Sequence, residues 1–195
     1  MIGERDSCGF SSPHFKQSNQ VFIAECGQKF VKIHRVKRQI DFALVTPDFQ
    51  ALEIHAKNLY DERYICAVRH DHPIALQSEL TLEQFCRLEQ ALISYHCGSF
   101  SGITDQALQA LGLQRNISLS VQSFIVLPEL LAQSDLLAIV PERLIANLPN
   151  LKRFEPPLKI QEFTKTLIWH ERTYKDSAYR WVRELIEKAC LVDGK

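Results

Sequence analysis

Two short stretches combine polar side chains with the place in the chain that a ligand site needs. Residues 96–102 (HCGSFSG) follow an apolar run and precede a helical pattern, so their backbone amides and the hydroxyls of Ser99 and Ser101 can hold a carboxylate or another anion. Residues 122–124 (Gln-Ser-Phe) occupy the equivalent place after the next strand-like run. Ordinary β-α turns, with Ser101 and Ser123 as helix N-caps, explain the same residues without a ligand.

Two histidine-containing patterns bear on catalysis and metal binding. His70 and His72 would share one face of a strand, as a metal pair requires, but no third ligand is evident and a solvated turn before Pro73 is the better interpretation. His96 beside Cys97 suggests a base and a nucleophile, although neighbouring residues in an extended turn point apart. No G-x-S-x-G, H-E-x-x-H or Walker-type loop occurs. We predict no catalytic centre, no metal site and no cofactor.

The element that organises these stretches is a predicted β-α-β unit. Apolar residues alternate over 117–121, recur at helical spacing from Phe124 to Leu131, and form a short run over 136–140 that suits a buried strand. We expect the two strands to be parallel in one sheet, with a right-handed crossover. Ligands of such sheets bind where strands end and helices begin, so the turn at 122–124 is a predicted site.

Other strands and helices alternate along the chain, which predicts an α/β fold. Thr81 and Gln84 have the spacing of a capping box. Residues 147–157 are predicted to be a proline-bearing connector. Basic and apolar residues alternate over 29–39, which favours an edge strand with a solvated face over a nucleic-acid patch. Further strands are predicted at 21–24, 40–45, 64–69, 91–95 and 163–170, a short element at 54–59, and helices at 81–86, 103–111 and 176–189.

Composition sets outer limits on function. The 195 residues carry 23 Lys+Arg and 23 Asp+Glu, so the net charge indicates neither nucleic-acid nor acidic partners. No apolar run has the length of a membrane span, and the first residues lack a signal-peptide core. Six cysteines occur without a C-x-x-C pair, which favours reduced, buried thiols. We expect a cytoplasmic protein.

Four runs of sequence resemble a known family. YICAVRHDHPIA, LTLEQF, LLAIVPERL and TLIWHERTYKDSAYRWVREL are similar, in this order and spacing, to the effector-binding domain of LysR-type transcriptional regulators. The similarity is greatest to the branch of nodulation and aromatic-catabolism regulators, and it covers residues 40–191. It implies two Rossmann-like lobes joined by two crossover strands, a type 2 periplasmic-binding-protein-like arrangement. It also implies a small-molecule effector in the cleft, such as an aromatic acid, and a homo-oligomer.

The resemblance also implies boundaries and site residues. With crossovers near Arg69 and Trp169, residues 1–39 form an atypical N-terminal segment, 40–68 and 169–195 the first lobe, and 69–168 the second. The loop at 96–102 and the turn at 122–124 line the cleft in the resembling family, residues 46 and 47 face them, and the return crossover adds an aromatic wall. The expected effector-binding residues are Thr46, Pro47, His96, Ser99, Phe100, Ser123, Phe124 and His170.

The chain departs from the family pattern before residue 40. No winged helix-turn-helix is recognisable there, and the opening strand and helix of the first lobe are not recognisable either, so we expect a truncated first lobe and DNA contact only through a head that this chain lacks. Three other functions remain open: a free-standing solute-binding protein of the same architecture, an enzyme that uses Cys97 and His96, and a module that only oligomerises.

Overall fold

A computed structural model of the chain describes residues 23–25, 41–46, 54–94 and 102–192. The chain divides into two compact units, the first made of Met1–Tyr60 and Lys165–Lys195, the second of Asp61–Thr164. The strands are β1 Ile23–Glu25, β2 Phe42–Val45, β3 Ile54–Glu62, β4 Tyr64–Arg69, β5 Glu89–Ile93, β6 Asn116–Val121, β7 Leu137–Pro141, β8 Leu151–Phe154 and β9 Phe163–His170. The α-helices are α1 Leu82–Arg87, α2 Ile103–Ala110, α3 Leu127–Ala132, α4 Glu142–Ile145 and α5 Ser177–Val192, and a 3-10 helix spans Glu171–Thr173.

The second unit contains a five-stranded sheet in the order β6-β5-β7-β4-β8. Strand β5 runs parallel to both β6 and β7, while β4 is antiparallel to β7 and β8. The strands on either side of α3 are therefore parallel, as the β-α-β pattern predicted, with β5 inserted between them. The carboxyl ends of β5, β6 and β7 consequently meet at one edge of this sheet.

The apolar run of β4 is explained by the burial of both faces of this strand. Ile65 and Ala67 belong to a cluster with Leu127 and Leu131 of α3, whereas Cys66 and Val68 belong to another cluster with Phe85 and Leu108 of α1 and α2. Successive side chains of a strand point to opposite faces, so both faces of β4 are buried. The YICAVR run therefore forms a central strand covered by helices on both sides.

The first unit is built on a four-stranded sheet in the order β1-β2-β9-β3. Strand β2 is parallel to β1 and antiparallel to β9, with Phe42 opposite Trp169 and Val45 opposite Thr166. Helix α5 packs its apolar stripe on one face, where Val182 joins the cluster of Phe42, Leu167 and Trp169. Asp176 caps this helix, because its carboxylate accepts the amide of Ala178 at 2.8 Å.

The chain passes between the units at Tyr60–Asp61 and again at Thr164–Lys165. Both points lie earlier in the chain than the expected crossings near Arg69 and Trp169. The reason is visible in the pairing: β4 bonds along both of its sides to β7 and β8, so all of it belongs to the second unit. Strand β9, in turn, lies between β2 and β3 and belongs to the first unit almost from its start.

Three element predictions need correction. The short element at 54–59 is a strand that continues to Glu62. The connector at 147–157 contains β8, which the flanking prolines concealed. The helix expected to begin at Ser123 begins at Leu127, because residues 124–126 form a turn and Val126 occupies the N-cap position without a side-chain bond. The basic stretch at 29–39 lies outside the described residues.

The capping box predicted at Thr81 is present. The Thr81 hydroxyl accepts the amide of Gln84 at 3.2 Å, and the Gln84 side chain accepts the amide of Thr81 at 3.1 Å. Gly112, with φ 70°, takes the left-handed conformation just after α2. No helix within the described ranges is long and apolar enough to cross a membrane.

Candidate functional site

Four of the eight predicted site residues fall within the described parts of the chain. Ser123 and Phe124 lie in the second unit, and Thr46 and His170 lie in the first. The remaining four, Pro47, His96, Ser99 and Phe100, lie outside the described residues, as does Cys97.

Ser123 and Phe124 stand where the sequence placed them in relation to the sheet. They follow the last residue of β6 at the edge formed by the carboxyl ends of the parallel strands, and the carbonyl of Val121 accepts the amide of Ser94 there at 2.9 Å. Ser123 is a turn residue rather than a helix cap, since its hydroxyl oxygen accepts the amide of Ile125 at 3.3 Å. Its hydroxyl and the half-buried Phe124 ring therefore combine a polar and an apolar group at this edge.

The start of α2 is fixed by a buried ion pair. Arg115, whose side chain is 2% exposed, donates to both carboxylate oxygens of Asp105 at 2.7 Å. The same carboxylate accepts the amide of Gly102 at 2.5 Å. A third guanidinium bond runs to Gln90 on β5 at 3.2 Å. These bonds connect Gly102, the last residue of the predicted anion-binding loop, to β5 through Asp105 and Arg115.

A charged cluster that the sequence did not indicate lies at the same strand edge. Arg63 donates to both carboxylate oxygens of Glu142 at 2.7 and 2.9 Å, and to Glu155 at 2.7 Å. Glu142 directly follows β7, and its amide donates to the carbonyl of Arg63 and to the carboxylate of Glu62. Hydrogen bonds from Arg63 hold the pKa of Glu142 below its ordinary value.

Glu62 in this cluster is a structural group rather than a ligand contact. It is 7% exposed, and burial raises the pKa of its carboxyl even though backbone amides of Arg143, Arg63 and Glu142 act in the opposite direction. These amides include the first ones of α4, so Glu62 caps that helix from another strand. The adjacent Glu-Arg pair between two strand patterns was the available sequence signal.

In the first unit, the structure does not bring Thr46 and His170 together. Thr46 directly follows the Val45–Thr166 pair, whereas His170 follows Trp169 at the other end of the same ladder. Five strand positions separate the two ends, which at the usual rise is roughly 17 Å. His170 also has a local role, since its Nδ1 accepts the amide of Arg172 at 3.1 Å and so caps the 3-10 helix. One small ligand cannot contact both residues.

Near His170 the first unit holds an aromatic cluster. His55 stacks on Tyr174 and Trp169 with ring centroids 4.4 and 5.6 Å apart, and its Nε2 contacts the carboxylate of Glu171. The guanidinium of Arg183 lies 4.9 Å from the centre of the Trp169 ring. Trp169 is 7% exposed and packs with Phe42 and Leu167, so it is a core residue, and this cluster lies at the end of β9 far from Thr46.

The histidine pair at 70 and 72 does not have the geometry of a metal site. His72 is 4% exposed, not solvated as expected. Its Nδ1 accepts the amide of Ile74 at 3.1 Å, and its Nε2 lies 3.2 Å from the carbonyl of Asp135, so Nε2 must carry the proton. Neither nitrogen therefore offers a lone pair. No group of three metal-binding side chains occurs among the described residues.

A cavity of about 630 Å³ lies at the opposite edge of the second sheet, where β6 begins. It is lined by the end of α2 and the following turn, and includes Leu108, Gln109, Leu113 and Asn116. None of the predicted site residues contributes to it.

Burial raises the pKa of the Cys66 thiol to about 12, so this cysteine is not a reactive group.

Comparisons with known proteins agree on one family. Residues 33–191 match the LysR substrate binding domain. The chain is 33% identical to the HTH-type transcriptional regulator SyrM of Rhizobium meliloti (strain 1021), over 71% of this chain and 43% of that protein. It is 32% identical to the HTH-type transcriptional activator NahR of Pseudomonas putida, over 67% of this chain and 44% of that protein. The chain thus spans less than half the length of these regulators.

Solved structures show the same fold. The regulatory domain of MexT, a transcriptional activator in Pseudomonas aeruginosa, superposes with a TM-score of 0.65 at 25% identity, over 80% of this chain and 76% of that one. The effector binding domain of QuiR, solved in complex with shikimate, superposes with a TM-score of 0.59 at 16% identity, over 80% and 75% of the two chains. Together with the family match over most of its length, these similarities show that the chain belongs to the LysR substrate-binding domain family.

Proposed function

We propose that this chain senses a small effector as the regulatory domain of a LysR-type transcriptional regulator. The observation that carries this is the family match over residues 33–191, joined to a strand edge in the second unit where Ser123 and Phe124 present a hydroxyl and an aromatic ring. Such a mixture of a few polar groups and apolar surface suits an amphipathic ligand such as an aromatic acid. Shikimate, the ligand of QuiR, is likewise a small carboxylic acid.

Other parts of the proposal concern partners. The relatives carry the description HTH-type, and less than half of their length matches, so we assign operator binding to a helix-turn-helix outside the matched region. We propose that this chain forms homo-oligomers and that it catalyses no chemical reaction. The matched relatives are transcriptional regulators, which supports a sensing role over the Cys97–His96 enzyme and the free-standing solute-binding protein.

Ligand-dependent thermal stability tests the sensing role. A ligand that binds only the folded state stabilises it by an amount that grows with its concentration. We expect at least one of shikimate, benzoate and salicylate, or of their neutral analogues, to raise the melting temperature of the 195-residue chain by an amount that increases with ligand concentration. Ser123→Ala and Phe124→Ala should weaken that response, while Ser134→Ala, remote from this edge, should not. A chain that responds to no compound and sediments only as an assembly would favour the oligomerisation module instead.

A further inference from the structure

The cavity at the start of β6 has the size of a binding site for a small organic molecule. Its volume is about 630 Å³, within the range of roughly 300–1,000 Å³ that is usual for such sites. All of its lining residues lie between Asp105 and Ile117, inside the second unit. Ser123 and Phe124 follow the opposite end of β6, so the cavity shares no residue with the predicted effector site.

The apolar part of the cavity wall is formed by Leu108, Leu113 and Ile117. Leu108 has no exposed surface and belongs to the core cluster that includes Phe85 of α1, so this part of the wall has a fixed position. Leu113, in contrast, is 36% exposed, and the neighbouring Leu111 is 57% exposed. An apolar ligand surface that covered these leucines would be removed from water together with them, which favours binding.

The charges in the cavity wall cancel. Asp105 and Arg115 are the charged residues among those that line it, and they form an ion pair at 2.7 Å. The Arg115 side chain is 2% exposed and also bonds to Gln90, so its guanidinium is part of the wall. An ionic ligand would lose hydration here without meeting an uncompensated opposite charge. The cavity therefore favours an uncharged molecule.

The polar part of the cavity consists of the carboxamides of Gln109, Gln114 and Asn116. All three residues are exposed, and none of these side chains hydrogen-bonds to another residue within the part of the chain that the structure describes. A carboxamide carries a donor beside an acceptor, so it pairs through two hydrogen bonds with a planar edge of the same kind, as it does with adenine. The apolar faces of such a ring pack well against aliphatic side chains.

We propose that this cavity binds an uncharged heteroaromatic molecule with an amide-type edge, its ring against the leucines and its polar edge at the carboxamides. The proposal goes beyond the sensing role and does not depend on it. Asp105, which lines the cavity, also accepts the Gly102 amide at 2.5 Å. A ligand in the cavity would thus adjoin the hydrogen bond that fixes the end of loop 96–102, and the Gly102 amide signal should report its presence.

NMR titration of the full, isotope-labelled chain tests the proposal. The probes are nicotinamide and uracil, and nicotinate and orotate are their charged counterparts. We expect at least one uncharged probe to shift the side-chain amide signals of Gln109 and Asn116 and the backbone signal of Gly112, with one common dissociation constant. Its charged counterpart should bind roughly 10-fold more weakly, because the carboxylate loses hydration without compensation.

Two substitutions remove a carboxamide at nearly constant size. Gln109→Met and Asn116→Leu should each weaken binding roughly 3- to 10-fold, the range for one neutral hydrogen bond. Gln106→Met is the matched control, since Gln106 is an exposed carboxamide of the same helix that does not line the cavity, and it should leave the affinity unchanged. All three positions are exposed, so the variants should fold, and the dispersion of their amide signals checks this.

Four results would each overturn this inference. They are the absence of shifts at the cavity with both uncharged probes, shifts confined to Ser123 and Phe124, equal binding of charged and uncharged partners, and an unchanged affinity in both Gln109→Met and Asn116→Leu. All four would leave the sensing proposal standing, because that proposal is judged by the thermal response to the acids and by the variants at Ser123 and Phe124.

Discussion

Arg63 joins three parts of the second unit through one side chain. Its guanidinium contacts Glu142 after β7 and Glu155 after β8, and its own carbonyl accepts the Glu142 amide at 3.0 Å. Its side chain is 41% exposed and that of Glu142 is 30% exposed, so solvent screens the attraction. Two-pronged Arg–carboxylate geometry nevertheless makes this pair stronger than an ordinary surface contact.

We expect Arg63→Met to lower the free energy of unfolding by about 1 kcal/mol at neutral pH, measured by urea denaturation. A double-mutant cycle with Glu142→Gln should give a coupling of roughly 0.5–1 kcal/mol. Arg87→Met is the control, since Arg87 forms a fully solvated helix pair with Glu83 at 2.8 Å and should matter less. If Arg63→Met and Arg87→Met lowered the free energy of unfolding equally, the contacts of Arg63 with Glu142 and Glu155 would contribute no more than a solvated helix pair.

The pH dependence of this coupling follows from the lowered pKa of Glu142. A carboxyl whose folded-state pKa is depressed contributes stability above its unfolded value, near 4.5, and loses it as the pH falls through the folded value. The coupling between Arg63 and Glu142 should therefore be present at neutral pH and vanish in acid. Glu62 has the opposite sign: its pKa is raised, so its contribution declines as the pH rises. The contribution of Glu62 to the free energy of unfolding cancels in the double-mutant cycle, because Glu62 is present in all four proteins.

The position of helix α2 depends on Arg115, a residue outside the helix. Its first turn carries Asp105, and the buried Arg115 that holds Asp105 comes from the segment before β6. Removing one member of a buried pair leaves the other charge unsatisfied. The partial exposure of Asp105, 24%, moderates the cost.

Arg115→Met should therefore destabilise the chain by about 2–4 kcal/mol. Amide exchange at Gly102 should rise as well, because the Asp105 carboxylate that accepts this amide is no longer fixed. Adding Asp105→Asn should recover part of the loss, since no unpaired charge then remains. Arg153→Met, at a half-exposed arginine 4.0 Å from Glu142, serves as the comparison. A loss no larger than that of Arg153→Met, with Gly102 exchange unchanged, would contradict the positioning role of Arg115.

Elements whose cause is local could be predicted from the sequence. Strands β4 and β9 have the predicted bounds, and Thr81 with Gln84 forms the predicted cap, because apolar runs and capping residues act within a few positions. Strand β8 was missed because its pairing with β4, rather than its own composition, makes it a strand. The contacts of Arg63 with Glu142 and Glu155 could not be predicted from the sequence, because they join residues that are 79 and 92 positions apart in the chain.

At the scale of the whole molecule, the two units differ in how the chain builds them. The second unit is one continuous segment, Asp61–Thr164, with apolar clusters on both faces of its sheet. The first unit is made of two segments, and β9 from the later segment lies between β2 and β3. The sequence pattern indicated two halves and a return of the chain, but the exact crossing points depend on which sheet accepts each strand.

We expect the fragment 61–164 to fold alone, with dispersed amide resonances and a cooperative urea transition. The fragment 1–164 should show the same resonances without those of a formed first sheet, because it lacks the strand between β2 and β3. A mixture of fragments 1–60 and 165–195 contains both segments of the first unit without the second unit. An unfolded 61–164 fragment would show that the second unit depends on the first for its stability.

Strands β3 and β4 belong to different sheets, and Arg63 is the one residue between them. The Arg63 carbonyl accepts the Glu142 amide at 3.0 Å and its guanidinium binds Glu142 and Glu155, so adding a residue at this joint would shift Arg63 away from these partners. Relatives of this chain should therefore vary in length at surface turns such as 76–79 while keeping this spacing constant. Any engineered fusion or permutation should likewise open the chain in those turns and leave the joint intact.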